Sequence, residues 1–395
     1  MTRTALELSA GLAPVRAARP IRAGERIHIL GIAGAGASAA AIHALALGAI
    51  VTGCDPGGPS PYTLALEARR IPIAASHDPS HVTDGPRLDR LAVTKALTAV
   101  APDHAELRAA ANRGIPAEPW QQLIADAAFG RTLVAVAGTH GKSTTAGWLT
   151  WVLAQSGRDP SAFVGALLPA ALTGGVPATA RVGTGAAFVV EADEYAGNFD
   201  AYRPDVVVLT TLEWDHPDVF ATRAAVISAV ANWLDQVPDA TLVANLDDPG
   251  VVELLGSVHA SPGRLGAIVG VSLTGQAARG SATAGPAELW IDRTVVGHIV
   301  ERTPDGFVLD IDGLAESTRR VHLGITGDHN ASNALLALVA AAGLDAAPQD
   351  GIDRLVWALT SFPGIGRRLE RKGEAGGVVV YDDYGHHPTA IRATQ

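Results

Sequence analysis

Short apolar runs alternate with longer stretches whose apolar residues recur every three or four positions, and glycines stand at most of the junctions. This is the pattern of buried parallel strands joined by helices. Residues 26–55 (RIHILGIAGAGASAAAIHALALGAIVTGCD) predict strand, glycine-rich turn, alanine-rich helix and strand. Residues 85–120 continue the alternation, with a strand near Leu91, a helix near Glu106 and a short strand after Gly114. A new run, Leu133 to Ala137, then breaks at Gly138 and Gly141 and leads into a helix ending at Gly157 with apolar residues on one face. Pro160 to Gly185 shows little periodicity and predicts loops and short strands, while residues 187–220 carry two buried strands that end in acidic or imidazole groups. A helix over 222–237 and the strand TLVANLDD extend the sheet. Residues 251–320 predict short antiparallel strands (AELWIDR, VVGHIVER, GFVLDID), and GDHNASNALLALV predicts a helix begun near Asp328. The fold class is α/β with parallel sheets. The expected limits are 1–129 for a Rossmann-like domain and 130–365 for a central P-loop domain. Residues 1 to about 24, rich in Ala, Arg and Pro, predict a loosely held lead-in.

Composition narrows the function. Of 395 residues, 40 are Asp or Glu and 30 Lys or Arg, a net charge of −10 that argues against a nucleic-acid partner. Cys54 is the only cysteine, so no intrachain disulfide forms and a reducing cytoplasm fits. No apolar run is long enough to span a bilayer, and no membrane partner is expected. The lysines are Lys95, Lys142 and Lys372 only.

That scarcity draws attention to Lys142, which stands in AVAGTHGKSTT. A strand, a glycine-rich loop and a helix opening with Lys-Ser make a phosphate cradle. Glycines let backbone N–H groups approach phosphate oxygens, the helix N-terminus favours anions, Lys142 reaches the terminal phosphates and the Ser143 hydroxyl joins a Mg²⁺ shell. The pattern departs from the usual one at Val136, where a glycine is common. Ligands of open parallel sheets sit beyond the carboxyl ends of the strands, which brings Glu191, Asp193 and Glu194 and also Glu213, Asp215 and His216 toward this loop. Glu191 and His216 suit Mg²⁺ and polyphosphate. In the first domain Gly34, Gly36 and Ala39 fit G-x-G-x-x-A, and Asp55 closes the next strand. Read alone, these residues indicate a mononucleotide or dinucleotide site, with NAD as one occupant. Asn330 and Asn333 fall one helical turn apart. The pair His386 and His387 lacks the further ligands of a zinc site.

The motifs GIAGAGAS, GTHGKSTT, VVEADEY, LEWDHPDVF, GDHNASNALLA and RRLE…YDDYGHHPTAI, in this order, resemble the Mur ligase family, the ATP-dependent amide-forming ligases of bacterial cell-wall synthesis. The resemblance runs from about Ile27 to the last residue. It implies UDP-N-acetylmuramate and L-alanine as substrates, with ATP and Mg²⁺ as cofactors, and replaces the NAD reading. A second branch, which attaches a recovered murein tripeptide to UDP-N-acetylmuramate, is also similar, and an incomplete nucleotide-binding homologue is a third reading. By resemblance, Gly34, Ala35, Gly36, Ala37 and Ser38 hold the UDP moiety, with Asp55 and His77 nearby. Gly138, Thr139, His140, Gly141, Lys142, Ser143 and Thr144 wrap the ATP phosphates, and Lys142 and Arg368 stabilise the γ-phosphate. Ser143 and Glu191 hold one Mg²⁺ and His216 helps with a second. Asn330 meets the adenine and Asp383 the ribose. Several members use a carbamylated lysine downstream of the Asp-His motif. No lysine lies between Lys142 and Lys372 here, as in the alanine-adding branch. The family continues beyond the position matching Gln395 into a Rossmann-like domain, of which 366–395 is expected to be the beginning. The resemblance leaves oligomeric state open.

Overall fold

The computed structural model describes residues 2–259, 266–275, 291–344, 349–385 and 387–394. They form two compact units. The first takes in the chain up to Arg131 together with Ser161–Gly183 and Tyr195–Arg203; the second takes in Thr132–Pro160, Thr184–Glu194 and the chain from Pro204 on. The expected limits differ in two respects. Two excursions from the central region cluster with the first unit, and the chain beyond residue 366 clusters with the second instead of standing apart. Among the described residues no helix is long and apolar enough to cross a membrane.

The strands of the first unit are β1 (Arg26–Leu30), β2 (Ile50–Cys54), β3 (Ile73–Ala74), β4 (Arg90–Val93) and β5 (Ala117–Pro119). They pair in the order β3-β2-β1-β4-β5, all parallel. The order reverses between β1 and β4, the switch point where open α/β sheets bind ligands. After β1 the chain turns at Gly31 (φ +77°), where a Cβ would lie 2.5 Å from the Thr94 methyl group. It then enters the Ala35–Ala46 helix, whose small residues allow close packing on the sheet. Gly36 is required there because a Cβ would fall 2.1 Å from the Trp120 ring.

The lead-in is fastened, contrary to the expectation of a loose segment. Arg16 Nε donates to Glu118 at 2.8 Å and Arg16 Nη2 to Asp126 at 2.8 Å. Arg19 pairs with Glu25 at 2.5 Å. The acids it meets are themselves buried around Arg90, which lies 3.0 Å from Glu25, 3.1 Å from Glu118 and 2.5 Å from Asp126. Composition does not show that these acids need partners; their burial does.

The chain enters the second unit with β6 (Thr132–Ala137) and returns to the first for β7 (Ser161–Leu168) and β8 (Ala178–Arg181), an antiparallel pair. Strands β9 (Ala187–Ala192), β10 (Val206–Leu209), β11 (Thr241–Asn245), β12 (Ile268–Ser272), β13 (Arg293–Thr303), β14 (Gly306–Asp312) and β15 (Arg319–Leu323) belong to the second. There β6 lies between β9 and β10, parallel to both. The run β10-β11-β12-β13 is also parallel, and β13-β14-β15 is antiparallel. The antiparallel expectation for this region therefore holds only at its far edge. The AELWIDR strand falls largely outside the described residues. Strands β16 (Glu370–Ala375) and β17 (Val378–Asp382) form a separate antiparallel pair.

The Lys142–Gln155 helix is buried at ten consecutive or near-consecutive positions, from Ser143 to Leu153, not along one face. The sheet covers one side, and the Asp328–Gly343 and Gln349–Thr360 helices cover the other. Trp148 anchors it: its indole N–H donates to the Leu359 carbonyl at 3.0 Å and its ring stacks on Phe362. The element that opens with Lys142 is thus clamped on both sides.

Candidate functional site

In the second unit the carboxyl ends of β9, β6 and β10 lie side by side, with Val136 opposite Glu191 and Ala137 opposite both Ala192 and Leu209. The loop Gly138–Gly141 leaves the middle strand and is held on the β10 side. Thr139 N–H donates to the Thr211 carbonyl at 2.7 Å, and His140 N–H to Thr211 Oγ1 at 2.9 Å. Gly138 (φ +129°) passes so close that a Cβ would lie 2.4 Å from Thr210 Oγ1. Gly141 (φ +82°) caps the helix in the left-handed region, and a Cβ there would lie 2.4 Å from Asn333 Oδ1. These two glycines are needed for shape. Val136 is wholly buried in the strand, with Ala137 still between it and the turn, so a side chain is accommodated there.

Lys142 curls over the loop. Its Nζ donates to the Gly138 carbonyl at 2.6 Å and to Glu194 at 3.3 Å, and Asp193 lies 3.7 Å away. Burial opposes the charge, but Glu194, Asp193 and Glu191 outweigh it and hold the ammonium above the ordinary lysine range. Burial pushes the Glu194 carboxyl upward against the pull of Lys142. Next along the helix, Ser143 Oγ donates to Glu191 Oε1 at 2.9 Å, and Arg368 Nη2 donates to the same Ser143 oxygen at 3.2 Å. A loop lysine, a hydroxyl, a strand-end carboxylate and a guanidinium thus meet at the helix mouth.

His216 sits with Asp193 and Glu194, one donor atom of each lying within 4.8 Å of the others. Its backbone is in the left-handed region (φ +55°) and its N–H donates to Asp215 at 2.7 Å, a strained position of the kind found at working sites. Arg368 is held by a similar device. Its neighbours Arg367 and Leu369 have φ of +57° and +49°, and Asp383 accepts from Leu369 N–H at 2.9 Å and Gly385 N–H at 2.7 Å. Asp383 therefore shapes the turn that presents Arg368. Asn330 donates to the Thr326 carbonyl at 2.8 Å, inside its own helix start, and accepts from Asn333 at 3.4 Å.

Two residues given no role in the sequence reading, Asn333 and Glu213, contact this loop. Asn333 accepts from Thr145 at 3.2 Å behind Gly141; its position one turn beyond Asn330 was the available signal. Glu213 Oε2 lies 3.2 Å from His140 Nε2 and 3.7 Å from His387 Nδ1. Burial, with His387 alongside, holds His140 below the usual imidazole value. Thr144, assigned to the phosphates by the resemblance, follows Ser143 in the first helical turn.

In the first unit, Gly34 caps the Ala35–Ala46 helix; Gly34 is exposed and Ala35 half-buried. The N–H groups of such a first turn have no partners within the helix. Gly36, Ala37 and Ser38 have turned inward: Ala37 is in the core, and Ser38 Oγ donates to the Ala35 carbonyl at 2.9 Å and contacts Thr179 Oγ1 at 3.1 Å. Any ligand contact from these three is through backbone. Asp55 accepts from Ala33 N–H at 3.1 Å and Gly57 N–H at 2.9 Å, tying the glycine loop to the end of β2. His77 is apart from the loop; its Nδ1 lies 3.1 Å from Cys54 Sγ and 3.6 Å from Glu106.

Two domain families match the chain: the Mur ligase family, catalytic domain, over residues 26–131, and the Mur ligase middle domain over residues 136–341. The UDP-N-acetylmuramate–L-alanine ligase of Kineococcus radiotolerans is 39% identical over 369 residues, 93% of this chain and 71% of the relative. That of Rhodococcus jostii is 38% identical over 376 residues, again 93% and 71%. Among solved structures, a murein peptide ligase from Psychrobacter arcticus superposes with a TM-score of 0.72 at 26% identity, covering 94% of this chain and 75% of that one. A UDP-N-acetylmuramate–alanine ligase from Thermotoga maritima shares the fold, with a TM-score of 0.70 at 22% identity over 93% and 76%.

Proposed function

Because this chain belongs to the Mur ligase family, we propose that it joins L-alanine to UDP-N-acetylmuramate at the expense of ATP, a step in peptidoglycan precursor synthesis. The muramoyl carboxylate oxygen attacks the γ-phosphorus and ADP leaves, giving an acyl phosphate. The L-alanine amine then attacks the acyl carbon. The tetrahedral intermediate collapses to the amide, and phosphate departs with the former carboxylate oxygen. The reaction belongs in the cytoplasm, where ATP and nucleotide sugars are supplied.

The observation that carries this reading is the meeting of Lys142, Ser143, Glu191 and Arg368 at one helix mouth. In the first step one anion must approach another, so cations held ready at the γ-phosphate supply most of the gain. Lys142 exchanges its Glu194 and Gly138 partners for phosphate oxygens, and Arg368 moves from the Ser143 hydroxyl to the same group. Ser143 and Glu191 offer hard oxygen donors 2.9 Å apart, matching the edge of about 2.9 Å expected for an octahedron with Mg²⁺–oxygen bonds of 2.0–2.1 Å. These two residues would hold Mg²⁺, which supplies charge neutralisation between the phosphates. His216, with Asp193 and Glu194, offers a second cation position. Gly34, Ala35 and the backbone of the following turn suit the UDP pyrophosphate. Asn330 is assigned to the adenine and Asp383 to the ribose; both now hold neighbouring backbone groups, so the nucleotide must share or displace those bonds.

A second reading, transfer of the murein tripeptide, is favoured by the likeness to murein peptide ligase structures. Mass spectrometry of the product formed from UDP-N-acetylmuramate, ATP and Mg²⁺ with each amine separates the two. The expected product is the L-alanyl amide. A product with the tripeptide alone would transfer the reading to the second branch.

A further inference from the structure

A group of side chains in the first unit is unused by the proposed ligation. His28 on β1, Cys54 at the end of β2, His81 in the Ser80–Thr83 helix and Glu106 in the Ala105–Asn112 helix each bring one donor atom within 4.8 Å of the others. His28 Nε2 is 3.3 Å from Cys54 Sγ and 3.5 Å from Glu106 Oε2. Cys54 Sγ is 3.4 Å from Glu106 Oε1, and His81 Nδ1 is 3.4 Å from that same oxygen. Nitrogen-to-oxygen separations of 3.4–3.5 Å are longer than ordinary hydrogen bonds. Taking Glu106 Oε1 as the ligand atom, its distances of 3.4 Å to Cys54 and to His81, with 3.3 Å between His28 and Cys54, fall within the donor-to-donor edges, about 3.3–3.8 Å, of a tetrahedron around zinc with bonds of 2.0–2.3 Å.

The charge balance points the same way. Glu106 and Cys54 are wholly buried and His28 nearly so. Among the described residues, the groups that ion-pair with Glu106 are the imidazoles His28, His77 and His81. A buried carboxylate beside a thiol and imidazoles is stabilised by a cation. One thiolate and one carboxylate neutralise one divalent ion.

We propose that His28, Cys54, His81 and Glu106 form a zinc site. Binding deprotonates the thiol, whose proton passes to solvent. The supporting hydrogen bonds are already present. Thr52 Oγ1 lies 2.8 Å from His28 Nδ1 and fixes the ring so that Nε2 faces the centre, and Asp78 N–H donates to Glu106 Oε1 at 2.9 Å. His77, 3.1 Å from Cys54 Sγ, is placed to donate to the thiolate. His81 is partly exposed and marks the entry path. The site would pin the end of β2 immediately before Asp55, and with it the glycine loop. The zinc assignment does not depend on which ligand that loop takes.

The test uses the full chain, stripped by a chelator and titrated with Co²⁺ as a spectroscopic probe. Cys54 is the only cysteine, so a thiolate-to-cobalt charge-transfer band reports this site alone; a cation at Ser143 and Glu191 gives none. The expected result is a band saturating at one Co²⁺ per chain, with tetrahedral d–d absorption, abolished by one equivalent of Zn²⁺. Cys54→Ser should lose the band, and Glu106→Gln should weaken Co²⁺ binding ten- to a hundred-fold, with circular dichroism verifying that both fold. Should Cys54→Ser fail to fold, the wild-type titration and Glu106→Gln decide. Absence of the thiolate band at saturating Co²⁺, or unchanged affinity in folded Glu106→Gln, would overturn the proposal.

Discussion

At Lys142 a single ammonium is shared among Glu194, Asp193 and the Gly138 carbonyl, so the side chain is already drawn to the place where a γ-phosphate would need it. Lys142→Ala is expected to lower the rate of ADP formation by about 10²–10³-fold. Calorimetric affinity for UDP-N-acetylmuramate should be unchanged, because Gly34 and Asp55 belong to the other unit. Equal loss of both would contradict the assignment. His43 gives a pH prediction. It is buried, its Nε2 lies 2.9 Å from the Ala162 carbonyl, and burial lowers it to about 4 from 6.5. Between these values the unfolded chain binds a proton that the fold refuses, so this contribution is complete above pH 6.5 and lost as pH falls toward 4. Urea unfolding at pH 4.5 and 7 should differ by roughly 2–3 kcal/mol more in the wild type than in His43→Gln. Lys142, Ser143 and Glu191 were legible in the sequence because their spacing follows strand and loop. Glu194 as the partner of Lys142 was not, since it depends on which acid is buried. The inward turn of Ala37 and Ser38 was hidden for the same reason: Thr179, which receives Ser38, is distant in the chain.

Among the elements, the loop and the helix it opens behave as one rigid piece. Gly141→Ala combines a left-handed backbone with an overlap against Asn333. It should cost about 1–3 kcal/mol in stability and reduce ATP affinity, read by thermal unfolding with and without nucleotide. Arg90→Ala in the first unit should cost about 3–5 kcal/mol, because it leaves Glu25, Glu118 and Asp126 short of a buried partner; the shift in unfolding midpoint measures it. The apolar periods revealed β1, β2, β6 and β9, and the helices that follow β1 and β6. They did not reveal that the Lys142–Gln155 helix is covered on both sides, since Thr145 and Thr150 read as polar yet are wholly buried. The firm hold on the lead-in was also illegible, because Arg16 finds Glu118 and Asp126 more than a hundred residues away.

At the scale of the whole molecule, family membership explains why one chain carries two glycine loops, each at the carboxyl end of a parallel strand. On the proposed function, one takes the nucleotide of the acceptor and the other the nucleotide that is spent. The motif order suggests this division, whereas the excursions of 161–183 and 195–203 into the first unit left no mark in composition. The most direct test follows one oxygen atom. UDP-N-acetylmuramate labelled with ¹⁸O in its carboxylate is incubated with the chain, ATP, Mg²⁺ and L-alanine, and the released phosphate is weighed by mass spectrometry. Activation of the carboxylate by ATP predicts one ¹⁸O in each phosphate, accompanied by the L-alanyl amide. Unlabelled phosphate, or ADP release independent of the sugar nucleotide, would contradict it.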